Sequence, residues 1–172
     1  MASEIAKGCN YLESIGRTHR DLSARNIIFV AKNLVVKISD GGAYRDKYRA
    51  DYYNGMPIRW MSPESIIDGR FSAKSDVYSF STTFWEILTY CKSRPHYQLS
   101  DQSLLTLIVN TSNGADDVPP LVLGRPLHCP KEIYDLMVEC WQTNENQRPP
   151  FHEIGLFLQR KNLGYQKPGP DH

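Results

Sequence analysis

The chain has 172 residues, 41% of them hydrophobic, which suits one compact domain with a real core and is too short for two. Twenty lysines and arginines against nineteen aspartates and glutamates leave a net charge of +1, excluding nucleic acid or a membrane surface as a partner held mainly by charge. Cys9, Cys91, Cys129 and Cys140 lie far apart with no C-x-x-C spacing, which argues against a zinc site or a disulfide framework and for a reducing compartment.

In chain order, residues 2–15 place Ile5, Cys9 and Leu12, then Ala6, Tyr11 and Ile15, near one stripe at helical spacing, and Gly16 ends that helix. The stretch T-H-R-D-L-S-A-R-N, Thr18 to Asn26, leads into the apolar run Ile27 to Val30. With Lys32-Asn33 as a turn and Leu34 to Ile38 returning, this reads as two short antiparallel strands. Ser39-Asp40-Gly41-Gly42 closes the hairpin, and Ala43 to Pro57 has no periodicity and reads as an exposed, tyrosine-rich loop. Ser62 is expected to cap a helix with Pro63 at its first position. Ser75-Asp76 opens a longer helix, Val77 to Tyr90, apolar almost all round and so expected at the domain centre. Its Ser79, Ser81, Thr82, Thr83 and Glu86 make it too polar to span a bilayer, and the N-terminus lacks the basic and apolar regions of a signal peptide. Beyond a loop at Pro95 to Tyr97, Ser100-Asp101 caps a helix reaching about Asn110, and Thr111 to His128 is a long connection. Lys131 to Gln142 is a helix with Ile133, Leu136, Met137 and Cys140 on one side; Asn144 to Pro150 is a turn. Phe151 to Leu163 forms the last helix, and residues 164–172 are expected to be disordered. The predicted fold is mainly α with a small β-hairpin.

Chemistry enters at Thr18 to Asn26. An Asp, a charged residue four positions on and an Asn directly after it, set between a turn and a strand, resemble the catalytic loop H-R-D-L-x-x-x-N of protein kinases. Further landmarks follow in order: Asp40-Gly41-Gly42 where kinases carry Asp-Phe-Gly, then P-I-R-W-M-S-P-E from Pro57 to Glu64, then S-D-V-Y-S-F and W-E-I-L in the central helix, and last C-W-Q-T-N-E-N-Q-R-P-P-F with Arg148. The chain through Leu158 resembles the C-terminal lobe of a tyrosine kinase domain, because Arg25 stands where tyrosine kinases carry Arg and Ser23 where Ser/Thr kinases carry Lys. The expected domain is a kinase C-lobe over residues 1–163, with 164–172 as a tail. Segments such as M-A-S-E-I-A-K-G, A-D-Y-Y, C-K-S-R-P-H-Y-Q-L-S-D-Q and C-P-K-E-I-Y-D-L-M are similar to the discoidin-domain receptors, which are collagen-responsive receptor tyrosine kinases; the Trk and insulin-receptor branches share much of the pattern.

The resemblance implies that Asp21 accepts or orients the proton of a substrate tyrosine during in-line transfer of the ATP γ-phosphate, and that Arg25 holds the Asp and the phenolic oxygen together. It implies Asn26 and Asp40 as oxygen ligands to Mg2+ beside ATP. Without it, Asp21 is a turn former, Arg25 a solvated charge and Asp40 the end of a hairpin. His19 reads as a packing and hydrogen-bonding residue, Asp76 as a cap tying the central helix to the loop, and Glu64 with Arg148 as a partly buried ion pair. Tyr48, Tyr52 and Tyr53 form Y-x-x-x-Y-Y, either autophosphorylation sites whose phosphates pair with Arg20, Arg45 and Arg49, or three exposed aromatics.

The sequence also departs from the family. It holds no Gly-rich phosphate loop and no V-A-I-K lysine, so half of the nucleotide site is expected from the N-lobe of a longer parent, and the isolated chain is expected to be inactive. Gly41 replaces the Phe of Asp-Phe-Gly, only Asn54-Gly55-Met56 separates Tyr53 from Pro57, and Arg17-Thr18 replaces an apolar pair. Two functions therefore stand side by side. One is a piece of a receptor-type kinase acting on protein tyrosine at the cytoplasmic face of the plasma membrane, or in the cytoplasm if the chain exists alone; the other is a degenerate lobe that works as a protein-interaction module. Apolar faces meant for the N-lobe predict a poorly soluble isolated chain.

Overall fold

The computed structural model describes residues 1–30, 35–40, 45–112 and 121–162. Six helices and one two-stranded sheet are formed among them, in the order α1 (Ala2–Ser14), β1 (Ile27–Val30), β2 (Val35–Ile38), α2 (Pro63–Ile67), α3 (Ala73–Leu88), α4 (Asp101–Ser112), α5 (Lys131–Cys140) and α6 (Phe151–Asn162). The strands pair antiparallel with Ile27 opposite Ile38 and Val30 opposite Val35. The expected Lys32-Asn33 turn, Gly41-Gly42 and the tail all fall outside the described residues.

Helix α1 ends as its glycine requires. Gly16 takes a φ of 67°, its N–H bonds to the Glu13 carbonyl and that of Arg17 to the Leu12 carbonyl, the paired closure that favours glycine after a last turn. Ile5, Ala6 and Cys9 are buried, but Tyr11 and Ile15, expected on the same stripe, are 64% and 49% exposed. Tyr11 borders the open groove between α1 and β2, and Ile15 follows the last residue of the helix. Gly8 lets α1 approach β2, since a Cβ there would meet Ile38 Cδ1 at 2.9 Å.

Helix α3 starts earlier than its sequence suggests. Ser72, not Ser75 or Asp76, is the cap: its Oγ accepts from the N–H groups of Lys74 and Ser75, while the Ser75 hydroxyl receives the Ser72 N–H. Every residue from Ser75 to Glu86 is buried, so its hydroxyls need internal partners. Ser79 Oγ donates to the Trp60 carbonyl, Ser81 Oγ to the Met137 carbonyl, and Thr82 Oγ1 accepts from Trp141 Nε1. Around α3 lies the main core, with Val77, Phe80 and Phe84 against residues of α1, α5 and α6. Phe80 meets Phe151 edge-on with ring centres 5.8 Å apart.

Ser62 precedes α2 but does not cap it with its side chain; its hydroxyl pairs with that of Ser65. Ser100 does cap α4, through Ser103 N–H, and α4 runs through Ser112. Helix α5 stops at Cys140, short of the expected Gln142, and α6 is described through Asn162, with Leu163 outside the described residues. The stretch 45–57 is more ordered than its lack of periodicity implies: Arg49–Asp51 forms a 3-10 turn, and Tyr53 and Met56 exchange both backbone bonds across Asn54 and Gly55. Asn54 at φ 50° and Gly55 at φ 78° make the Asn-Gly pair a tight primed turn, which closes the shortened segment on itself. Among the described residues no helix is long and apolar enough to cross a membrane.

Candidate active site

The loop from His19 to Asn26 is gripped from three sides. From α3, Asp76 accepts the N–H groups of His19 (2.6 Å) and Arg20 (3.0 Å), so it ties the helix to the loop without being the cap. Burial pushes the Asp76 carboxyl above its usual range, and those two N–H bonds work against the rise. From the hairpin, the Ser39 carbonyl lies 2.8 Å from His19 Nε2, while His19 Nδ1 accepts the Asp21 N–H at 3.3 Å. The ring thus bridges two backbones, with its proton on Nε2. From farther along α3, Glu86 Oε2 accepts the Ala24 N–H at 2.9 Å. Arg20, between these anchors, is forced to a φ of 69° and lies over the Phe71 ring at 5.3 Å.

Held this way, Asp21 faces a phenol. Tyr52 Oη donates to Asp21 Oδ2 at 2.7 Å and accepts from Arg25 Nε at 3.0 Å, while Arg25 Nη2 donates to Asp21 Oδ1 at 2.5 Å. The guanidinium is 3% exposed and sandwiched, its Cζ 4.6 Å from the Tyr52 ring centre and 4.5 Å from that of Trp60. A third oxygen, Asp51 Oδ2, is 3.4 Å from Arg25 Nη1. Burial pushes the Asp51 carboxyl up against the pull of Arg25, Arg94 and Arg59. Burial and the Asp21 bond push Tyr52 ionisation up as well, so near neutral pH its hydroxyl keeps its proton and points it at Asp21. The arrangement combines a carboxylate ready to receive a phenolic proton with a cation on the oxygen where charge develops.

Asn26 is fully buried. Its Nδ2 donates to the Asp21 carbonyl at 2.7 Å, and its Oδ1 has no hydrogen-bond partner, the one such buried side-chain atom among the described residues. An amide oxygen left without a donor suits a hard divalent cation. Ser39 N–H bonds to the Asn26 carbonyl at 2.8 Å, which seats the neighbouring Asp40 close by. Asp40 and Asp21 both line an open groove of about 440 Å³ with Arg45 and Met56, and Asp40 also borders a second groove of about 800 Å³ between α1 and β2. The groove itself carries two carboxylates, Asp21 and Asp40, a chemistry that fits a hard divalent ion, while the Asn26 amide is buried and lines neither groove.

The remaining candidates lie around this centre. Arg148, 1% exposed, forms a two-pronged pair with Glu64 at 2.6 and 2.8 Å. Burial alone would raise the Glu64 carboxyl, but Arg148 outweighs it and holds it below the usual range. Tyr48 is exposed, and Tyr53 Oη reaches Gln102 Oε1 at 3.4 Å, so of the three tyrosines only Tyr52 enters the site. Arg45 lies over Tyr52 at 5.3 Å. Sequence reasoning assigned no role to Trp60, Glu86 or Asp51, although the first two stand inside P-I-R-W-M-S-P-E and W-E-I-L. Arg59 of the same motif is buried and binds Asp101 Oδ1 and the carbonyls of Pro95, His96 and Leu99.

The sequence has known relatives. The chain is 40% identical over 164 residues to the epithelial discoidin domain-containing receptor 1 of Homo sapiens, covering 92% of this chain and 18% of the receptor. It is 44% identical over 173 residues to the BDNF/NT-3 growth factors receptor of Gallus gallus, covering 98% of this chain and 20% of that protein. With the NT-3 growth factor receptor of Gallus gallus the figure is 45% over 163 residues, 92% of this chain and 18% of the receptor. The chain thus spans about a fifth of the length of these relatives, and discoidin and neurotrophin receptors match it comparably. The family model described as protein tyrosine and serine/threonine kinase matches residues 1–158, from α1 into α6, and the chain belongs to that family of ATP-dependent protein kinases.

Proposed function

We propose that this chain is the tyrosine-receiving part of a receptor-type protein tyrosine kinase, with Asp21 and Arg25 as its catalytic residues. The observation that carries this reading is the Tyr52 hydroxyl between Asp21 Oδ2 and Arg25 Nε. A side chain as long as tyrosine brings its oxygen to the carboxylate across the Arg25 plane, whereas a serine or threonine hydroxyl on the same backbone would fall short. Asp21 takes the phenolic proton as the oxygen attacks, and Arg25 steadies the growing negative charge while keeping Asp21 in position. Asn26 Oδ1 and Asp40 are the residues that would hold a divalent ion. ATP with that ion supplies the phosphoryl group and the positive charge that screens it.

The 172 residues include no Gly-rich loop and no V-A-I-K lysine, so the proposed activity belongs to a longer chain whose second lobe completes the nucleotide site. By itself this piece, a C-lobe in our reading, is proposed to be inactive. Tyr48, Tyr52 and Tyr53 are the proposed sites of self-phosphorylation, His19, Asp76, Glu64 and Arg148 serve structure, protein tyrosines are the substrates, and the setting is the cytoplasmic face of a membrane receptor. The test is the chain joined to a tyrosine-kinase N-lobe, assayed with Mg-ATP for phosphate on Tyr48, Tyr52 and Tyr53 beside Asp21→Asn. Signal that vanishes in the variant is expected; equal background in both overturns the reading.

A further inference from the structure

We propose that Glu86 is a positioning residue for Arg25, acting through a single carboxylate oxygen that holds both the backbone behind the guanidinium and the indole beneath it. Glu86 Oε2 accepts the Ala24 N–H at 2.9 Å and Trp60 Nε1–H at 2.6 Å. Ala24 immediately precedes Arg25, so the first bond fixes the peptide from which the side chain leaves. The second fixes the Trp60 ring, whose centre lies 4.5 Å from the guanidinium carbon. Arg25 is thus set at its root and along its flank, and from there it reaches Asp21 and Tyr52. Glu86 itself is 8% exposed and forms no ion pair among the described residues. Its charge acts on Arg25 without an ion-pair contact.

A bare packing role does not explain this arrangement, because an apolar side chain would fill the space without leaving a buried carboxylate. The cost of that burial shows in Glu86 itself, whose carboxyl is pushed up to about 7, with the Ala24 and Trp60 donors and the Arg25 charge pulling the other way. Asp51, facing the same network from the Arg49–Asp51 turn, adds to the rise. Two donors on one oxygen have a further consequence. Glutamine can place its oxygen where Oε2 stands and keep both bonds, whereas alanine loses both.

The inference rests on Asp21 and Arg25 being the catalytic pair, but its test needs no phosphoryl transfer, so an inactive chain can still pass it. The readout is hydrogen exchange of the arginine Nε–H groups in the ¹⁵N-labelled full chain. Arg25 Nε–H bonds to Tyr52, and Arg148 Nε–H, bonded to the Gln142 carbonyl, serves as the control for an intact fold. Glu86→Ala is expected to speed Arg25 exchange on the order of tenfold while Arg148 stays protected, and Glu86→Gln is expected to restore slow exchange. Trp60→Phe, which keeps a ring and removes its N–H, should give an intermediate rate. Unchanged Arg25 exchange in Glu86→Ala overturns the proposal. So does loss of both arginine signals in Glu86→Ala and Trp60→Phe alike, since Glu86 would then support the fold as a whole.

Discussion

Arg25 divides its guanidinium among three oxygens, those of Asp21, Tyr52 and Asp51, and lies between two aromatic rings. A lysine could not do this, because a point charge has neither the fork nor the flat face. In the proposed function Tyr52 stands where an incoming tyrosine would bind, so its removal should free the site. In an N-lobe-completed chain, Tyr52→Phe keeps the ring over Arg25 and loses both hydroxyl bonds, and the KM for a tyrosine peptide is expected to fall about tenfold. A peptide titration checks this; an unchanged KM would show that Tyr52 does not occupy the acceptor position. That Asp21 and Arg25 would lie together was implied by the resemblance of Thr18 to Asn26 to the kinase catalytic loop, and the two side chains do meet. That Tyr52, and neither Tyr48 nor Tyr53, enters was not legible, because Y-x-x-x-Y-Y carries no record of which way its turn faces.

At the scale of elements, Arg148 ties distant parts of the chain together. It crosses from the turn before α6 to Glu64 in α2 and also donates to the carbonyls of Gln142, Lys74 and Thr143. Lys74 returns a bond to the Arg148 carbonyl, so α2, α3 and the start of α6 meet at one side chain. Arg148→Met strands a buried carboxylate and three carbonyls and is expected to cost roughly 3 to 5 kcal/mol. Glu64→Gln leaves Arg148 its carbonyl partners and should cost less. Urea denaturation of the two variants decides; equal losses would mean that the carbonyl contacts contribute nothing. The pairing was expected from two motifs eighty-four positions apart, whereas the carbonyl contacts were not, because backbone acceptors leave no mark in side-chain chemistry.

For the whole molecule, the charge buried in α3 links stability to pH. The Glu86 carboxyl is raised from its ordinary 4.5 to about 7 in the fold, so the folded chain binds the proton more tightly than the unfolded one. That contribution is fully present below pH 4.5 and is lost as pH rises through 7. Glu86→Gln removes it, and the variant should gain on the natural chain between pH 4.5 and pH 7, by about 3 kcal/mol at the upper end. His96 gives a slope of opposite sign, since burial and Arg59 hold its imidazole down to about 4, and the difference between the two chains cancels it. Chemical denaturation at pH 5 and pH 8 measures that difference; a flat result would place Glu86 in water. The sequence by itself determined the fold class, the order of the helices, the hairpin and the family, because hydrophobic period, turn residues and motif spacing are all local in the chain. It misplaced the start of α3, since Ser72 caps through a reciprocal bond that competes with the equally good signal at Ser75-Asp76. Only the tertiary structure decided that Tyr52 rests on Asp21 and that Glu86 sits beneath Arg25 and Trp60. These contacts join residues 26 to 62 positions apart, and their geometry exists only once the core around α3 has closed.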